Sequence, residues 1–516
     1  MVPVSHKEPP LGASPSLKPA NSKTASKPKL GLRFWMQRVL EECDRAAAGF
    51  EADPVHDLRV ALRRCRSLAD GLMAMDPDPS WKEMKRAGRK LFRALGELRD
   101  MQVMKEWIEK LSGGAQPDAE SRVFTEDPVV VKLLNHVHAR EAECRQLAWK
   151  DLSQFDKKRW RQWGRTLPGR AARLRPGNVV YLHLALEKWT DAYELHKRAV
   201  RTRSQVALHE LRIGIKRFRY TVENFLPAQH ALWGKDLKEL QDLLGEVHDL
   251  DVLWATALEI MAFPDPESRN RWREKLNHER NRRVERYREL MIGKESLWRV
   301  WRAALPAGAD LRAAALSRLR QWAGYLDPDF THAQRVGQLS LYLYDGLRKA
   351  GLLHRAEENG ARDVLQAAAL MHDVGKAKGG QNHQKESFRM ILKLARPLGW
   401  SSREMELAAV VARYHRGALP RPRGKNMQRL ELPDRRVAIE LAGVLRLANA
   451  LDPRDGTAPR LEVDGHHGTL VVHSAGYSPL DRKAENVAGA RHLLETVLKR
   501  PVMVQGMRPR VSGGSP

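Results

Sequence analysis

The segment His56-Asp-Leu-Arg-Val-Ala-Leu-Arg-Arg-Cys-Arg-Ser67 is written a second time as His209-Glu-Leu-Arg-Ile-Gly-Ile-Lys-Arg-Phe-Arg-Tyr220. Neither copy contains proline. At about 100° of rotation per residue, a helix gathers His56, Arg59, Arg63 and Arg66 on one side and Leu58, Ala61, Leu62 and Cys65 on the other. In the second copy His209, Arg212, Lys216 and Arg219 form the polar stripe, and Leu211, Gly214, Ile215 and Phe218 the apolar one. Each copy predicts an amphipathic helix whose wet face is almost purely cationic. A further pair, Leu95-Gly-Glu-Leu-Arg-Asp-Met-Gln-Val103 and Leu244-Gly-Glu-Val-His-Asp-Leu-Asp-Val252, follows in the same order at nearly the same separation. The repeat is therefore a whole helical unit present twice, with the small difference in spacing absorbed in a loop.

One arginine-rich face is ordinary solvated surface. Two such faces, brought together by pseudo-symmetry, crowd like charges at a cost in stability unless a polyanion lies between them. The planar guanidinium grips phosphate oxygens bidentately, whereas lysine acts more as a point charge. A phosphate chain is the guest this pattern suits. His56 and His209, which open the helices, suit either phosphate contact or a buried structural part. Asp100 and Asp249 have no nucleophile beside them and are expected to pair with the arginines rather than act as bases.

These paired His-x-x-Arg-[Val/Ile]-x-x-[Arg/Lys]-Arg-x-Arg helices and Leu-Gly-x-x-x-Asp segments resemble the CHAD domain, the conserved-histidine α-helical family, over roughly residues 31–300. The resemblance implies a two-repeat helical bundle that binds inorganic polyphosphate along a basic channel. It carries that role to His56, Arg59, Arg63, Arg64 and Arg66, and to His209, Arg212, Lys216, Arg217 and Arg219.

The charge of the whole chain agrees: 90 Lys+Arg against 63 Asp+Glu give +27 over 516 residues, a balance that calls for an acidic partner. Cys43, Cys65 and Cys144 are odd in number, lack metal-binding spacing and read as buried thiols of a reducing cytosol. No apolar run has the length of a membrane span and no signal peptide opens the chain. A cytoplasmic protein, associated with polyphosphate granules, is the expectation, with no membrane partner.

Residues 1–30, rich in Pro, Ser and Lys, predict a disordered basic tail. Residues 31–305 predict the duplicated helical-bundle domain, with repeats at about 31–165 and 179–300. Gly164–Asn178, which holds Pro168 and Pro176, reads as their joint, and Arg269–Arg288 as an exposed helix with paired charges. Residues 306–510 predict a second domain, helical with a small C-terminal β element: strands at Arg460–Val463 and Thr469–His473 joined by a turn holding His466 and His467, a helix at about Leu480–Lys499 and a strand at Pro501–Gln505. Residues 511–516 are expected to be a disordered tail. The fold class is mainly α.

Within the second domain one helix opens with His332, another ends on His372-Asp373 with Gly375 placed to stop it, and a third carries Ala412-Arg-Tyr-His-Arg416. His332 with His372 and Asp373 resembles the HD domain, a helical metal-dependent phosphohydrolase superfamily. With Asn382-His-Gln-Lys-Glu-Ser387, the region is similar to the HD-type C-terminal domain of exopolyphosphatases and guanosine pentaphosphate phosphohydrolases, over about residues 306–510. The resemblance implies a divalent metal, Mg²⁺ or Mn²⁺, on His332, His372 and Asp373, able to orient a phosphate and activate water. Two departures leave the ligand set incomplete. Asn449 stands at the superfamily's last carboxylate, with Asp452 three residues on, and Glu386 stands where relatives often carry a second histidine. Arg413, Arg416, Arg421, Arg423 and Lys425 nearby suit either a phosphate track or a solvated loop.

Three functions stay open on the sequence: a polyphosphate-binding module acting in polyphosphate targeting or metabolism, a metal-dependent phosphohydrolase acting on polyphosphate or a phosphorylated nucleotide, and non-specific nucleic-acid binding. The third is disfavoured, since few aromatic residues interleave the cationic stripes. Catalytic residues and oligomeric state are not specified.

Overall fold

A computed structural model of the chain describes residues 31–49, 51–113, 127–353, 360–453, 458–466 and 468–507. The tails expected at 1–30 and 511–516, most of the loop predicted around Ser112–Pro117, and His467 lie outside these residues. The fold is mainly α, with a small C-terminal sheet. The first unit runs α1 (Leu32–Gly49), α2 (Ala52–Leu72), α3 (Pro79–Leu111), α4 (Pro128–Ser153) and α5 (Lys157–Ala171). Its copy runs α6 (Val179–Thr202), α7 (Gln205–Phe225), α8 (Pro227–Glu259) and α9 (Pro266–Met291).

The two basic segments occupy α2 and α7, and their apolar stripes are buried as the periodicity requires: Leu58, Ala61, Leu62 and Cys65 in one, Leu211, Ile215 and Phe218 in the other. α7 starts where the Ser204 hydroxyl accepts a hydrogen bond from the Ala207 amide. The repeats meet through α2 against α7 and α3 against α8, and one core runs through both, from Leu32 to Leu305. Cys43, Cys65 and Cys144 are buried free thiols.

The expected joint at Gly164–Asn178 is shorter than the sequence suggests, because α5 continues through Pro168 to Ala171. Trp160, Trp163 and Leu167 bury one face of α5 against α1, and this packing outweighs the amide that Pro168 lacks. The sequence predicts i,i+4 pairs along helix α9; Arg283 makes one with Glu279, while Arg282 with Glu279 and Arg286 with Glu289 pair at i,i+3. The helix departs from the expected exposure at Arg283, which is buried among Glu246, Glu279 and the ring of Trp107.

After α10 (Leu297–Ala303) come α11 (Gly308–Leu326), α12 (Phe330–Lys349), α13 (Ala361–Met371), α14 (His383–Lys393), α15 (Ser402–Arg413), α16 (Leu432–Leu451) and α17 (Lys483–Leu498). A separate core from Ala315 to Val502 holds them together. Strands β1 (Leu461–His466) and β2 (Thr469–Ser474) form an antiparallel hairpin, and β3 (Val502–Gly506) runs parallel to β2. Helix α13 ends at Met371, before Gly375. Gly375 lies instead in a 3-10 turn, Val374–Lys378, where a Cβ would stand 2.2 Å from the carbonyl oxygen of His383 and 2.5 Å from the Ser387 amide nitrogen. Its lack of a side chain lets this turn approach the start of α14. Among the described residues no helix is long and apolar enough to cross a membrane.

Candidate functional site

Side chains of both repeats line one cavity of about 440 Å³ between α2, α3, α7 and α8. Arg59 and Arg66 enter it from the first copy, Arg212 and Lys216 from the second. Arg89 and Arg93 of α3 add two cations that the repeated motif does not contain, and Phe92 forms a ring wall, 5.2 Å from the Arg59 guanidinium and 5.7 Å from that of Arg66. Burial pushes the Lys216 ammonium down to about 8, helped by the positive charges of Arg212, Arg59 and Arg63. Both copies therefore contribute to one electrostatic field.

Asp100 and Asp249 sit at equivalent places on α3 and α8 and line the same cavity. Burial raises the Asp249 carboxyl to about 6 against the pull of Arg212, and raises that of Asp100 against Arg59, Arg212 and Lys216. Among the described residues neither makes an ion pair within 4 Å, so they balance the cations through space rather than clamp them. One nitrogen of Arg59 and the Nε of Arg212 are buried without a hydrogen-bond partner. Such donors fit incoming oxygens.

The remaining predicted residues lie elsewhere. Arg64 turns away to Glu223, 2.5 Å off, and stacks over Trp35. Arg219 helps hold the Glu223 carboxyl below its usual range, although burial opposes that. Arg217 and His56 are exposed. Arg63 lies over the Tyr220 ring beside the cavity. His209 contacts His248, a lining residue, with 3.3 Å between their Nδ1 atoms, and burial keeps His248 near 4 and so uncharged.

The second half brings together more than the predicted His332, His372 and Asp373. His383, at the start of α14, and His415, just past α15, complete a second group around Asp373. Within each group, His332–His372–Asp373 and Asp373–His383–His415, the donor atoms lie within 4.8 Å of one another. All five residues are buried. Three imidazoles place Nδ1 on a backbone carbonyl: His372 on Ala369 at 2.7 Å, His383 on Gly380 at 3.1 Å and His415 on Ala412 at 2.8 Å. Donation by Nδ1–H turns Nε2 of each ring toward Asp373, the orientation in which metal-ligating histidines are held. Nε2 of His372 and Oδ1 of Asp373 are buried with no hydrogen-bond partner. Distances from Asp373 are 3.3 Å to His372 Nε2, 3.0 Å to His383 Nε2 and 3.6 Å to His415 Nε2.

Burial opposes a negative Asp373, yet His372 and His383 hold its carboxyl far below the usual range. His415, buried and beside His372, is pushed well down and stays neutral. The donor set fits a metal ion. Two features work against tight binding: Lys376 pairs with Asp373, and Asn449 supplies an amide oxygen 3.0 Å from His332 Nε2. Asp452 does not stand in for Asn449 in this arrangement. It accepts from His332 Nδ1 at 2.6 Å and from Arg335, and so orients His332 from behind. His383 and His415 stood in the quoted segments, but their convergence from two further helices is a tertiary fact.

Two family models match the chain: the CHAD domain at residues 33–258 and the Ppx/GppA phosphatase, domain III, at residues 312–464. The solved structure of the CHAD domain from the plant Ricinus communis is 20% identical, covers 54% of this chain and 90% of its own, and superposes with a TM-score of 0.34. No curated protein matches the chain. The chain is a fusion of a CHAD domain with a Ppx/GppA-like C-terminal domain.

Proposed function

We propose that the chain binds inorganic polyphosphate in the cationic cavity between its repeats and acts in polyphosphate targeting or metabolism. Both matched families point to a polyphosphate-related function. The observation that carries the finer reading is the shared cavity: Arg59, Arg66, Arg212 and Lys216 face one another across it, two of the arginines have partnerless donors, and Lys216 is destabilised as a cation. A linear polyanion relieves that repulsion and supplies acceptors to the free donors.

A second reading rests on the histidine cluster. Four inward imidazoles and one shared carboxylate suit a transition metal better than Mg²⁺, since imidazole favours softer ions. A bound metal would polarise a phosphate and lower the pKa of water, making the second half a phosphohydrolase. Lys376 and Asn449 speak for weak binding and keep this reading second.

Long-chain polyphosphate titrated against the purified protein tests both, with single- and double-stranded nucleic acid as competitors and phosphate release followed with and without Mn²⁺ or Zn²⁺. The expected result is binding that weakens with salt, resists the competitors, and is lost in Arg59→Glu/Arg212→Glu with helical content intact. Wild-type affinity in that folded double variant would remove the repeats as the site. Displacement by nucleic acid would show that the cavity selects only for charge, and metal-dependent release would promote the second reading.

A further inference from the structure

A separate cavity of about 950 Å³ lies between α6, the end of α9 and α10, and shares no lining residue with the cavity between α2 and α7. We propose that it binds a nucleotide carrying two or more phosphates. Its size falls within the range of small-molecule sites. Lys197, Arg201, Lys294, Arg299 and Arg302 stand around it, and no carboxylate lines it. Lys197 is paired with Glu194, and Arg302 donates to the Leu305 carbonyl. Arg201, Lys294 and Arg299 have no acidic oxygen within 4 Å among the described residues. Three unpaired cations converging on a concave surface call for an anion of several charges.

Charge alone would serve an inorganic phosphate chain equally well. The wall is aromatic, however. Trp189 and Tyr193 stack with centroids 4.9 Å apart and planes 15° apart, and Trp298 meets both edge-on. The Arg302 guanidinium lies 6.0 Å from the Trp189 ring. Trp189 is only 9% exposed, and its indole N–H is buried without an acceptor. A buried donor without a partner is costly and rare. A flat heterocycle with ring and exocyclic acceptors satisfies that donor and meets the aromatic surface, while its phosphates reach the cations at the rim. Burial holds His196 near 4, and its Nδ1 lies 2.7 Å from the Tyr287 hydroxyl, so it adds a neutral wall and not a sixth charge. The concavity is bordered by three helices and has one aromatic wall, which matches one base rather than a run of them.

Calorimetric titration of the full chain with ATP and GTP against inorganic tripolyphosphate tests the assignment, repeated on Arg59→Glu/Arg212→Glu to silence the other cavity. The nucleotides are expected to bind one per chain, roughly tenfold or more tighter than tripolyphosphate, the scale of one base stacked on an aromatic ring, and to bind the double variant equally well. Trp189→Phe keeps the ring but removes the donor, so it should weaken nucleotide binding several-fold and leave tripolyphosphate unchanged. Arg299→Glu, an exposed change that spares the core, should weaken both. Equal affinity for ATP and tripolyphosphate, or loss of nucleotide binding in Arg59→Glu/Arg212→Glu, would overturn the proposal. A short oligoribonucleotide that displaces ATP with higher affinity would assign the surface to a nucleic-acid strand and overturn it as well.

Discussion

At the scale of single residues, the cavity between the repeats is governed by two groups whose charge is unsettled near neutral pH. Lys216 is held near 8 and Asp249 near 6, both chiefly by burial. A polyanion favours the protonated form of each, so binding takes up protons. Polyphosphate affinity should be highest below about pH 6, fall as Asp249 ionises, and fall again as Lys216 discharges above about pH 8. His248 near 4 remains neutral throughout and contributes no step. Affinity measured across this span in wild type and in Lys216→Arg checks the assignment: the variant should lose the upper step and keep the lower one. An unchanged upper step would place Lys216 outside the binding field. In the histidine cluster, Asn449→Asp brings a carboxylate to the atom beside His332 Nε2. Zn²⁺ or Mn²⁺ affinity is expected to rise by roughly tenfold or more, the scale on which even outer partners of metal sites act. No gain would mean that Asn449 does not face the ion.

At the scale of elements, the cavity exists because α2 and α7 approach closely, and Gly71 near the end of α2 permits this. A Cβ there would stand 2.2 Å from Cε2 of Phe225, which is buried and stacked on Tyr181 at 4.2 Å. Gly71→Ala should cost about 1–3 kcal/mol of stability, the usual penalty of overpacking, and lower polyphosphate affinity by moving the two stripes apart. Gly164→Ala on α5, where nothing lies within 4 Å, is the control and should be neutral or slightly stabilising. Urea unfolding of both variants separates the outcomes, and equal stabilities would show that the α2–α7 seam is loose. What the sequence made legible at this scale was periodicity. The buried stripes of Leu58–Cys65 and Leu211–Phe218 follow from spacing alone. The helical wheel also sets Arg64 and Arg217 apart from the cationic stripe, and it was the family motif that grouped them with the phosphate ligands. Arg219 lies on the stripe yet does not line the cavity, and its charge acts through space on Glu223, an acid no wheel displays. Helix α5 passed through Pro168 for a similar reason, tertiary packing of Trp160 and Trp163 overriding local propensity. His383 and His415 became ligand candidates only when α14 and α15 closed on Asp373.

At the scale of the whole molecule, the two halves meet through a few polar contacts set among the apolar contacts of Leu311, Tyr325 and Leu398 with the first core. His183 of α6, with no exposed surface, lies 2.9 Å from the Leu398 carbonyl through Nε2 and 3.4 Å from Arg318 through Nδ1. Nε2–H donates to the carbonyl and Nδ1 accepts from the guanidinium, which requires the neutral ring, and burial lowers the His183 pKa accordingly. Arg318 of α11 pairs with Glu187 of α6, both mostly buried, and Tyr325 donates to the Arg170 carbonyl at 3.0 Å. Arg170 is in turn clamped by the buried Asp76, so α11 is tied to the first repeat through an ion pair. If this contact couples the halves, stranding one charge should matter more than deleting both. Arg318→Met leaves Glu187 buried and unpaired and should cost roughly 3 kcal/mol, whereas Arg318→Met/Glu187→Met should recover most of the loss. A double-mutant cycle by urea unfolding measures the coupling, and calorimetry should show the single variant's transition splitting as the second core melts apart from the first. A single variant as stable and as cooperative as wild type would mean that the apolar contacts of Leu311, Tyr325 and Leu398 with the first core hold the halves together without the charges.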